Sequence, residues 1–373
     1  MTQSTIEGRG AVVEAAGAPV RIEPILVQAP GPGEVRVRLE ASGVCHSDHW
    51  AIRHGNWGAP FPMLLGHEGA GVVHDVGVGV ADVAAGDRVV LAWAVPCGTC
   101  AGCLRGMPRK CGHAWTQPPR ISRASTGERL EGTLSLGTLA THTVVHAAQA
   151  IPVPESADLS RVCLLGCGVS TGVGAAINTG QVWPGATVVV VGLGGIGLAA
   201  LQGARIAGAT RLIAVDLVAA KFELARALGA TDTIDASAED PVAATRALTQ
   251  GAGADVAIEA TGVPSVVGQV MAMLGTGGVG VAIGVPPPDS HVTLEWSGGP
   301  GAAYPNKASL LVSDGGDPLP EDFATWLGWA ADGSLDLDAM VSREGQLNAE
   351  DIDQAFRAML AGEVVRTVIR IQP

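Results

Sequence analysis

Four cysteines stand close together in the chain, at a spacing that could bind a metal ion. Cys97, Cys100, Cys103 and Cys111 form the pattern C-x2-C-x2-C-x7-C. Such a pattern is typical of a closed tetrahedral zinc site, in which four thiolates hold the ion and organise a loop that lacks a core of its own. An iron–sulfur cluster is the alternative for four cysteines. We favour a structural zinc ion at this loop.

A second set of possible metal ligands is dispersed. Cys45 heads the segment Cys-His-Ser-Asp-His, His67 and Glu68 lie in Gly-His-Glu-Gly-Ala-Gly, and Cys167 lies in Leu-Gly-Cys-Gly-Val-Ser-Thr-Gly. Sulfur and imidazole are ligands that zinc prefers. Spacing alone does not join these residues into one site, and each of them taken separately could be a core residue.

A glycine turn, Gly192-Leu-Gly-Gly-Ile-Gly, directly follows an apolar strand and opens a helix-like segment. In the pattern G-x-G-x-x-G, the first glycine makes the turn, the second lets a pyrophosphate approach the backbone, and the third lets helix and strand pack closely. The pyrophosphate would rest on free N–H groups of the helix. A turn without a ligand is the alternative, because 52 glycines make the pattern weak by itself. The predicted cofactor contacts are Gly192, Gly194, Gly195, Ile196 and Gly197.

An acidic residue, Asp216, ends the strand after this turn. A carboxylate there would accept hydrogen bonds from the ribose hydroxyls of an adenosine and repel a 2′-phosphate, which favours NAD over NADP. Lys221 is placed to reach the same ribose, although an exposed lysine on a helix surface is the alternative.

The elements that must hold these residues follow two patterns. Residues 10–95 alternate valine with polar residues between Gly, Pro and Asp turns, which predicts a β-rich domain. Residues 112–135 are polar and are predicted to form a loop. From about residue 180, apolar strands alternate with helix-like segments, as in a parallel α/β unit. A helix over 352–360 and a strand over 367–371 are predicted near the end.

Composition argues against several classes of function. The 373 residues carry a formal net charge of -13 without a basic run, so nucleic acid is not an expected partner. We expect neither an export signal nor a membrane span, because the N-terminus is polar and the longest apolar run is interrupted by glycines. The cytoplasm is the expected location, where seven cysteines are better explained as metal ligands or core residues than as disulfides.

Taken together, these motifs resemble the zinc-containing alcohol dehydrogenases of the medium-chain dehydrogenase/reductase superfamily, over essentially the whole chain. The resemblance implies an α/β protein with two domains. Residues 1–168 and 310–373 would form a GroES-like, β-rich catalytic domain with a structural-zinc lobe, and residues 169–309 a Rossmann NAD-binding domain. The motifs that carry the resemblance are Gly66-His-Glu-Gly-Ala-Gly-Val-Val, the cluster from Cys97 to Cys111, Leu164-Leu-Gly-Cys-Gly-Val-Ser-Thr-Gly, Gly192 to Gly197 with Asp216, and Gly362-Glu-Val-Val-Arg-Thr.

The resemblance further implies two zinc ions per chain and NAD as the cofactors. Cys45, His67 and Cys167 would be the ligands of a catalytic zinc ion, whose Lewis acidity lowers the pKa of an alcohol before hydride passes to the nicotinamide. Glu68 would lie near the metal and could bind it transiently. Asp48 would orient His67, since metal-bound histidines usually need such a partner.

Other implied roles concern the proton and the cofactor. Ser47 would hydrogen-bond the alcohol and begin a proton relay. His46, Thr171 and Arg366 would contact the cofactor, with Arg366 at its pyrophosphate. His46 stands where many members carry an arginine.

The end of the relay departs from the family pattern. Trp50 stands where a histidine is expected, so the proton could leave through His46, His49, a ribose hydroxyl or water. Trp93 stands at a position that lines the substrate pocket in the family, and Trp57 stands near another such position. Aromatic walls favour medium-length, aromatic or terpenoid primary alcohols, although both tryptophans could instead be core or interface residues.

Two other functions remain open at this point. A formaldehyde dehydrogenase that acts on a thiol adduct would use the same zinc ligands, and the stretch from Gly172 to Gly180 resembles the mycothiol-dependent type. A non-catalytic protein that binds zinc and NAD is a remote alternative. The family also implies a homodimer or a homotetramer.

Overall fold

The computed structural model describes residues 4–55, 60–112, 119–294 and 303–371. The chain divides into two compact units, one of residues 1–167, 319–331 and 337–373, the other of residues 168–318 and 332–336. We call them the catalytic unit and the cofactor unit. The sequence-based boundaries at 168/169 and 309/310 lie near these divisions, and the short return of residues 332–336 to the cofactor unit was not expected.

Strands occupy much of both units. They are β1 (Ile6–Val13), β2 (Arg21–Val27), β3 (Glu34–Val44), β4 (Met63–Leu64), β5 (Glu68–Val76), β6 (Arg88–Leu91), β7 (Ile121–Arg123), β8 (Glu131–Gly132), β9 (His142–His146), β10 (Ala150–Pro152), β11 (Thr187–Val191), β12 (Arg211–Asp216), β13 (Asp232–Asp235), β14 (Ala254–Glu259), β15 (Leu274–Ala282), β16 (Ser309–Val312), β17 (Arg343–Gln346) and β18 (Thr367–Arg370).

Helices occur in both units of the described chain. They are α1 (His46–His54), α2 (Ala101–Leu104), α3 (Leu159–Val162), α4 (Gly168–Gly174), α5 (Gly195–Ile206), α6 (Phe222–Ala227), α7 (Pro241–Leu248), α8 (Pro264–Met273), α9 (Ala303–Asn306), α10 (Pro320–Ala331) and α11 (Ala349–Leu360). In the described ranges no single helix is long and apolar enough to cross a membrane. A bent pair of short helices, residues 159–166 and 168–179, meets that test by length and composition alone.

The catalytic unit is built on two sheets. One has the order β7-β2-β1-β4-β8, and the other has the order β10-β6-β5-β3-β18-β17, with β9 also paired to β3. Alternating apolar residues of β1, β3 and β5 bury a common core, in which Val35, Val37 and Leu39 are fully buried. The amphipathic α11 covers this core with Ile352 and Phe356, which lie on one face of the helix.

The cofactor unit contains one parallel sheet with the order β13-β12-β11-β14-β15-β16. Strand β11 is a run of valines, and a strand buried on both faces is expected at the centre of a parallel sheet. Numbered within the sheet, the order is 3-2-1-4-5-6, so the order in which successive strands are added reverses between β11 and β14, although all six strands are parallel. Ligands of such sheets bind beyond the carboxyl ends of the strands at this reversal.

The structure therefore confirms the α/β fold and most of the predicted elements. The predicted loop over 112–135 is wrong in part, because β7 pairs with β2 and β8 pairs with β4 inside it. Both strands are very short, and partners elsewhere in the chain stabilise them rather than a local pattern of their own. The first part of that loop, residues 113–118, lies outside the described residues.

Candidate active site

Strand register brings the dispersed ligand candidates together. Gly43 near the end of β3 pairs with Glu68 at the start of β5, and Val44 pairs with Thr367 at the start of β18. The residues that flank these pairs, Cys45 and Arg366 among them, must therefore lie at one end of the sheet. Cys45 lies between β3 and α1 and is the N-cap residue of α1.

Cys45, His67, Glu68 and Cys167 form one cluster. Each offers a ligand atom that lies within 4.8 Å of those of the other three, and all four residues are buried. His67 Nε2 is buried without a hydrogen-bond partner among the residues described. A buried, unsatisfied imidazole nitrogen next to two thiols is costly unless it binds an ion. Two sulfurs and one imidazole suit zinc, so the donor set fits the metal.

Asp48 holds this cluster from the side away from Nε2. Its Oδ1 accepts a hydrogen bond from Gly66 N at 3.0 Å and lies 3.1 Å from His67 Nδ1, and its Oδ2 accepts from Cys45 N at 3.3 Å. With Nδ1 turned to a carboxylate, the proton of a neutral His67 is on Nδ1 and Nε2 is available to a metal. One fully buried carboxylate thus positions two of the candidate ligands.

The buried charges of the cluster depend on one another. The hydrogen bond from Cys167 is the main reason that the pKa of Cys45 lies well below its usual value, and the Arg366 cation adds to it. Burial raises the pKa of Glu68 to about 7, although Arg366 opposes this. Arg366 Nη2 lies 3.6 Å from Glu68 Oε1, and Arg366 is 3% exposed. The pyrophosphate contact predicted for Arg366 stays a prediction.

The residues of α1 directly follow Cys45, and several of them were predicted to take part in the proton relay. Ser47 is half-buried, with Oγ 3.8 Å from Cys45 Sγ, and His46 is exposed. The ring of Trp50 lies 5.1 Å from that of His54, and the ring of His49 lies 6.2 Å from that of Phe356. His49 therefore packs onto α11, and burial is the main cause that lowers its pKa.

Of the two tryptophans predicted to line the substrate pocket, Trp93 belongs to the described part of the chain. Trp93 follows β6, is half-buried and packs against the catalytic core, and its Nε1 has no hydrogen-bond partner within the described ranges. Trp57 lies outside the described residues. Cys163, four residues before Cys167, is fully buried.

The four-cysteine lobe, residues 97–111, forms the second possible metal site. The sulfurs of Cys97, Cys100, Cys103 and Cys111 lie within 4.8 Å of one another, and all four residues are partly exposed. A hydrogen bond from the Thr99 side chain is the largest of several that lower the pKa of Cys97 to about 5. Four converging sulfurs, one of them readily ionised, fit a tetrahedral zinc ion.

One contact of this lobe was missed in the sequence. Arg109 forms a two-pronged ion pair with Asp322 on α10, with Nη2 2.9 Å from Oδ1. Asp322 Oδ2 also accepts a hydrogen bond from Leu319 N, at the start of the same helix. No local signal could have joined residues this far apart, since charged residues occur on most helices.

In the cofactor unit, Gly192, Gly194 and Gly197 of the turn differ in the space around them. Gly192 has φ +94°, and an added Cβ would lie 2.7 Å from Thr261 Cγ2. No atom lies within 4 Å of a Cβ built on Gly194, so the space beside it is open to a ligand. A Cβ on Gly197 would overlap the Gly192 carbonyl oxygen, because helix and turn pack closely there. Gly195 and Ile196 begin α5.

Asp216 lies at the end of β12, beside this turn. Its Oδ2 accepts a hydrogen bond from Leu193 N at 2.7 Å and lies 3.1 Å from Lys221 Nζ, while Oδ1 accepts from Val218 N at 2.9 Å. The structure thus brings together Asp216, Lys221 and the glycine turn, which the sequence had placed at one ribose and pyrophosphate. Thr171 lies in α4 and is buried, and its Oγ1 has no partner in the described part of the chain.

Comparisons with known proteins agree with this architecture. Residues 31–155 match the alcohol dehydrogenase GroES-like domain, and residues 195–332 match the zinc-binding dehydrogenase family. An S-(hydroxymethyl)glutathione dehydrogenase of Synechocystis sp. is 35% identical, over 98% of this chain and 100% of its own. A geraniol dehydrogenase of Castellaniella defragrans is 33% identical, over 99% of each chain. The crystal structure of benzyl alcohol dehydrogenase from Acinetobacter calcoaceticus matches with a TM-score of 0.89 and 29% identity, covering 98% of this chain and 100% of that one.

The two matched families and the full-length relatives agree with each other and with the clustered sulfur and imidazole ligands. The chain belongs to the zinc-containing alcohol dehydrogenases of the medium-chain dehydrogenase/reductase superfamily, which are oxidoreductases with an NAD-binding Rossmann fold.

Proposed function

We propose that the protein is an NAD-linked dehydrogenase of primary alcohols, with one catalytic and one structural zinc ion per chain. The observation that carries the proposal is the convergence of Cys45, His67 and Cys167, with a buried His67 Nε2 that lacks a partner among the described residues. Asp216 and the glycine turn support NAD, because the carboxylate is buried beside the turn and would repel a 2′-phosphate.

The protein's own residues would bind, orient and deprotonate the alcohol. Zinc at the cluster supplies Lewis acidity, and NAD supplies the acceptor for hydride. Asp48 keeps His67 in the tautomer that offers Nε2 and fixes the backbone of Cys45. Ser47 Oγ, 3.8 Å from Cys45 Sγ, accepts the hydroxyl proton of the alcohol. Because Trp50 stands where the family carries a relay histidine, the four routes named above for the proton, His46, His49, a ribose hydroxyl and water, all stay open.

The substrate class rests on an aromatic side chain and on the named relatives. The family resemblance places Trp93 at a wall of the substrate pocket, and an aromatic wall would favour aromatic or terpenoid groups over ethanol. Relatives named for geraniol and for benzyl alcohol are 33% and 29% identical to this chain. We therefore expect medium-length, aromatic or terpenoid primary alcohols as substrates.

A thiol-dependent formaldehyde dehydrogenase is the second candidate. The relative from Synechocystis sp. named for S-(hydroxymethyl)glutathione is 35% identical over the full chain, slightly closer than the geraniol enzyme. Both reactions use the same ligand set, so the cluster does not separate them.

A substrate panel separates the two candidates. The purified protein would be assayed with benzyl alcohol, geraniol and ethanol, and with formaldehyde alone, with glutathione and with mycothiol, each with NAD and with NADP. We expect the highest kcat/KM for benzyl alcohol or geraniol with NAD, and about two zinc ions per chain by atomic emission. Activity restricted to formaldehyde plus a thiol would replace the first candidate by the second. A preference for NADP would refute the role proposed for Asp216.

A further inference from the structure

The stretch from Gly172 to Gly180, noted above for its resemblance to thiol-dependent enzymes, lies within the cofactor unit. Its first part belongs to α4, and the helix continues as a wider π-helical turn over Ala175–Thr179. Turns of this kind are rare and frequently occur at functional sites. The hydrogen bonds and packing contacts of this turn therefore indicate the structural role of residues 172–180.

Two side chains of the turn bind one loop, residues 313–317, which follows β16. Asn178 Nδ2 donates to the Gly316 carbonyl at 3.1 Å. The Thr179 hydroxyl donates to Asp317 Oδ2 at 2.6 Å and lies 2.8 Å from the Ser313 hydroxyl. Thr179 and Asp317 are 5% and 9% exposed, so these hydrogen bonds are shielded from water.

The loop also has a shape that requires support. Gly315, Gly316 and Asp317 all have positive φ, at +61°, +84° and +49°. For Asp317, which has a Cβ, this conformation costs energy that the hydrogen bond from Thr179 helps to offset. A Cβ on Gly174 or Gly316 would overlap backbone atoms across the contact between helix and loop, so the two backbones touch directly.

The same helix joins the loop to the glycine turn. A Cβ on Gly172 would overlap the Ile196 carbonyl oxygen and lie 2.6 Å from Ala199 Cβ, both in α5. Strand β16 is at the sixth position of the sheet, in the half that binds the second mononucleotide of a dinucleotide. Thr171, the residue before Gly172 in α4, has a buried hydroxyl that lacks a partner in the described part of the unit.

We propose that Asn178 and Thr179 are positioning residues that hold loop 313–317 in place for the nicotinamide half of NAD. The proposal rests on the NAD dependence proposed above. It gives the stretch from Gly172 to Gly180 a function in cofactor binding that is independent of any thiol substrate.

Two ligands test this proposal in the intact protein. NADH contains the nicotinamide half, whereas ADP-ribose lacks the nicotinamide ring and retains the adenosine. For Thr179→Val, we expect the Kd of NADH to rise about tenfold, because a buried acceptor loses its donor, while the Kd of ADP-ribose changes less than about twofold. Asn178→Ala should shift the same ratio in the same direction, and Thr179→Ser should restore it.

A matched control and a direct readout complete the experiment. Thr210→Val removes a hydroxyl that donates to Gly185 O elsewhere in the cofactor unit, and it should leave both Kd values unchanged. Hydrogen exchange of the peptide over residues 310–318 should be faster in Thr179→Val than in the wild type. Equal weakening of both ligands, or no change in either, would overturn the positioning role. A wild type that binds no NADH would instead overturn the proposed function, and this inference with it.

Discussion

At the scale of single residues, Asp48 contacts two of the candidate ligands, Cys45 and His67. Its carboxylate accepts hydrogen bonds from the backbone at Cys45 and Gly66 and faces Nδ1 of His67. An amide has one acceptor oxygen where the carboxylate has two. Asp48→Asn must therefore lose either the hydrogen bond from Cys45 N or the contacts with Gly66 N and His67 Nδ1.

We expect Asp48→Asn to weaken zinc binding at the cluster by about 10- to 100-fold, because the partners that orient metal-bound histidines have effects of that size. After dialysis against a competing chelator, zinc content should fall from about two to about one per chain, with kcat reduced in parallel. Asp87→Asn, which alters a turn-capping aspartate, is the control and should keep both ions. Full retention of zinc by Asp48→Asn would contradict the orienting role.

Residue types and spacing identified one ligand set before any fold was known, and the family resemblance identified the other. The lobe could be recognised from local spacing, because its four cysteines are close in the chain. The cluster of Cys45, His67 and Cys167 needed the family resemblance, because the pairing of β3 with β5 and β18 joins these residues and no sequence pattern states that pairing. The bonds of Asn178 and Thr179 to loop 313–317 were not foreseeable for the same reason.

At the scale of elements, the four-cysteine lobe is tied to α10 by the ion pair of Arg109 with Asp322. Their side chains are 32% and 16% exposed, so the pair is partly shielded from water. Arg109 stands two residues before Cys111, and an ion pair at this point restricts the last ligand of the lobe.

We expect Arg109→Gln to speed the loss of metal from the lobe. A partly exposed ion pair of this kind contributes roughly 1 kcal/mol, which corresponds to about a fivefold faster reaction. The measurement is alkylation of the lobe cysteines in the presence of a chelator, followed by peptide mass spectrometry, with Cys45 and Cys167 as internal references. Glu321→Gln, at the neighbouring position in the first turn of α10, is the control. Unchanged labelling in Arg109→Gln would show that the ion pair does not restrain the lobe.

Element type was predicted better than element length or pairing. The central strand β11 and the helix α5 were evident from a valine run followed by a glycine turn. The short strands β7 and β8 were missed, since strands of two or three residues depend on β2 and β4 for their hydrogen bonds. Propensity within a short segment carries no information on such partners.

At the scale of the whole molecule, ion pairs connect parts of the catalytic unit that are distant in the chain. Glu344 on β17 accepts hydrogen bonds from Arg161, in α3, and from Arg370, on β18. The hydrogen bond from Arg370, followed by that from Arg161, lowers the pKa of Glu344 from 4.5 to about 2.

A lowered pKa fixes the sign of the effect of pH on stability. The folded state binds the proton of Glu344 less tightly than the unfolded state, so its contribution is complete above about pH 4.5 and is lost as the pH falls to about 2. We therefore expect the free energy of unfolding to fall more steeply over this range in the wild type than in Glu344→Gln. Urea titrations at several pH values would measure it, with the exposed Glu321→Gln as the control. Parallel curves for wild type and Glu344→Gln would contradict the prediction.

The pairing of β18 with β3 joins nearly the last residues of the chain to some of the first. During synthesis on a ribosome, the parallel sheet of the cofactor unit has all its strands before β18 has been made. The edge of β3 next to Cys45 therefore lacks its partner strand until β18 has been made. A chain that lacks β18 would thus expose unpaired backbone N–H and C=O groups along this edge of β3. Chaperones and proteases bind such exposed edges in incompletely folded chains.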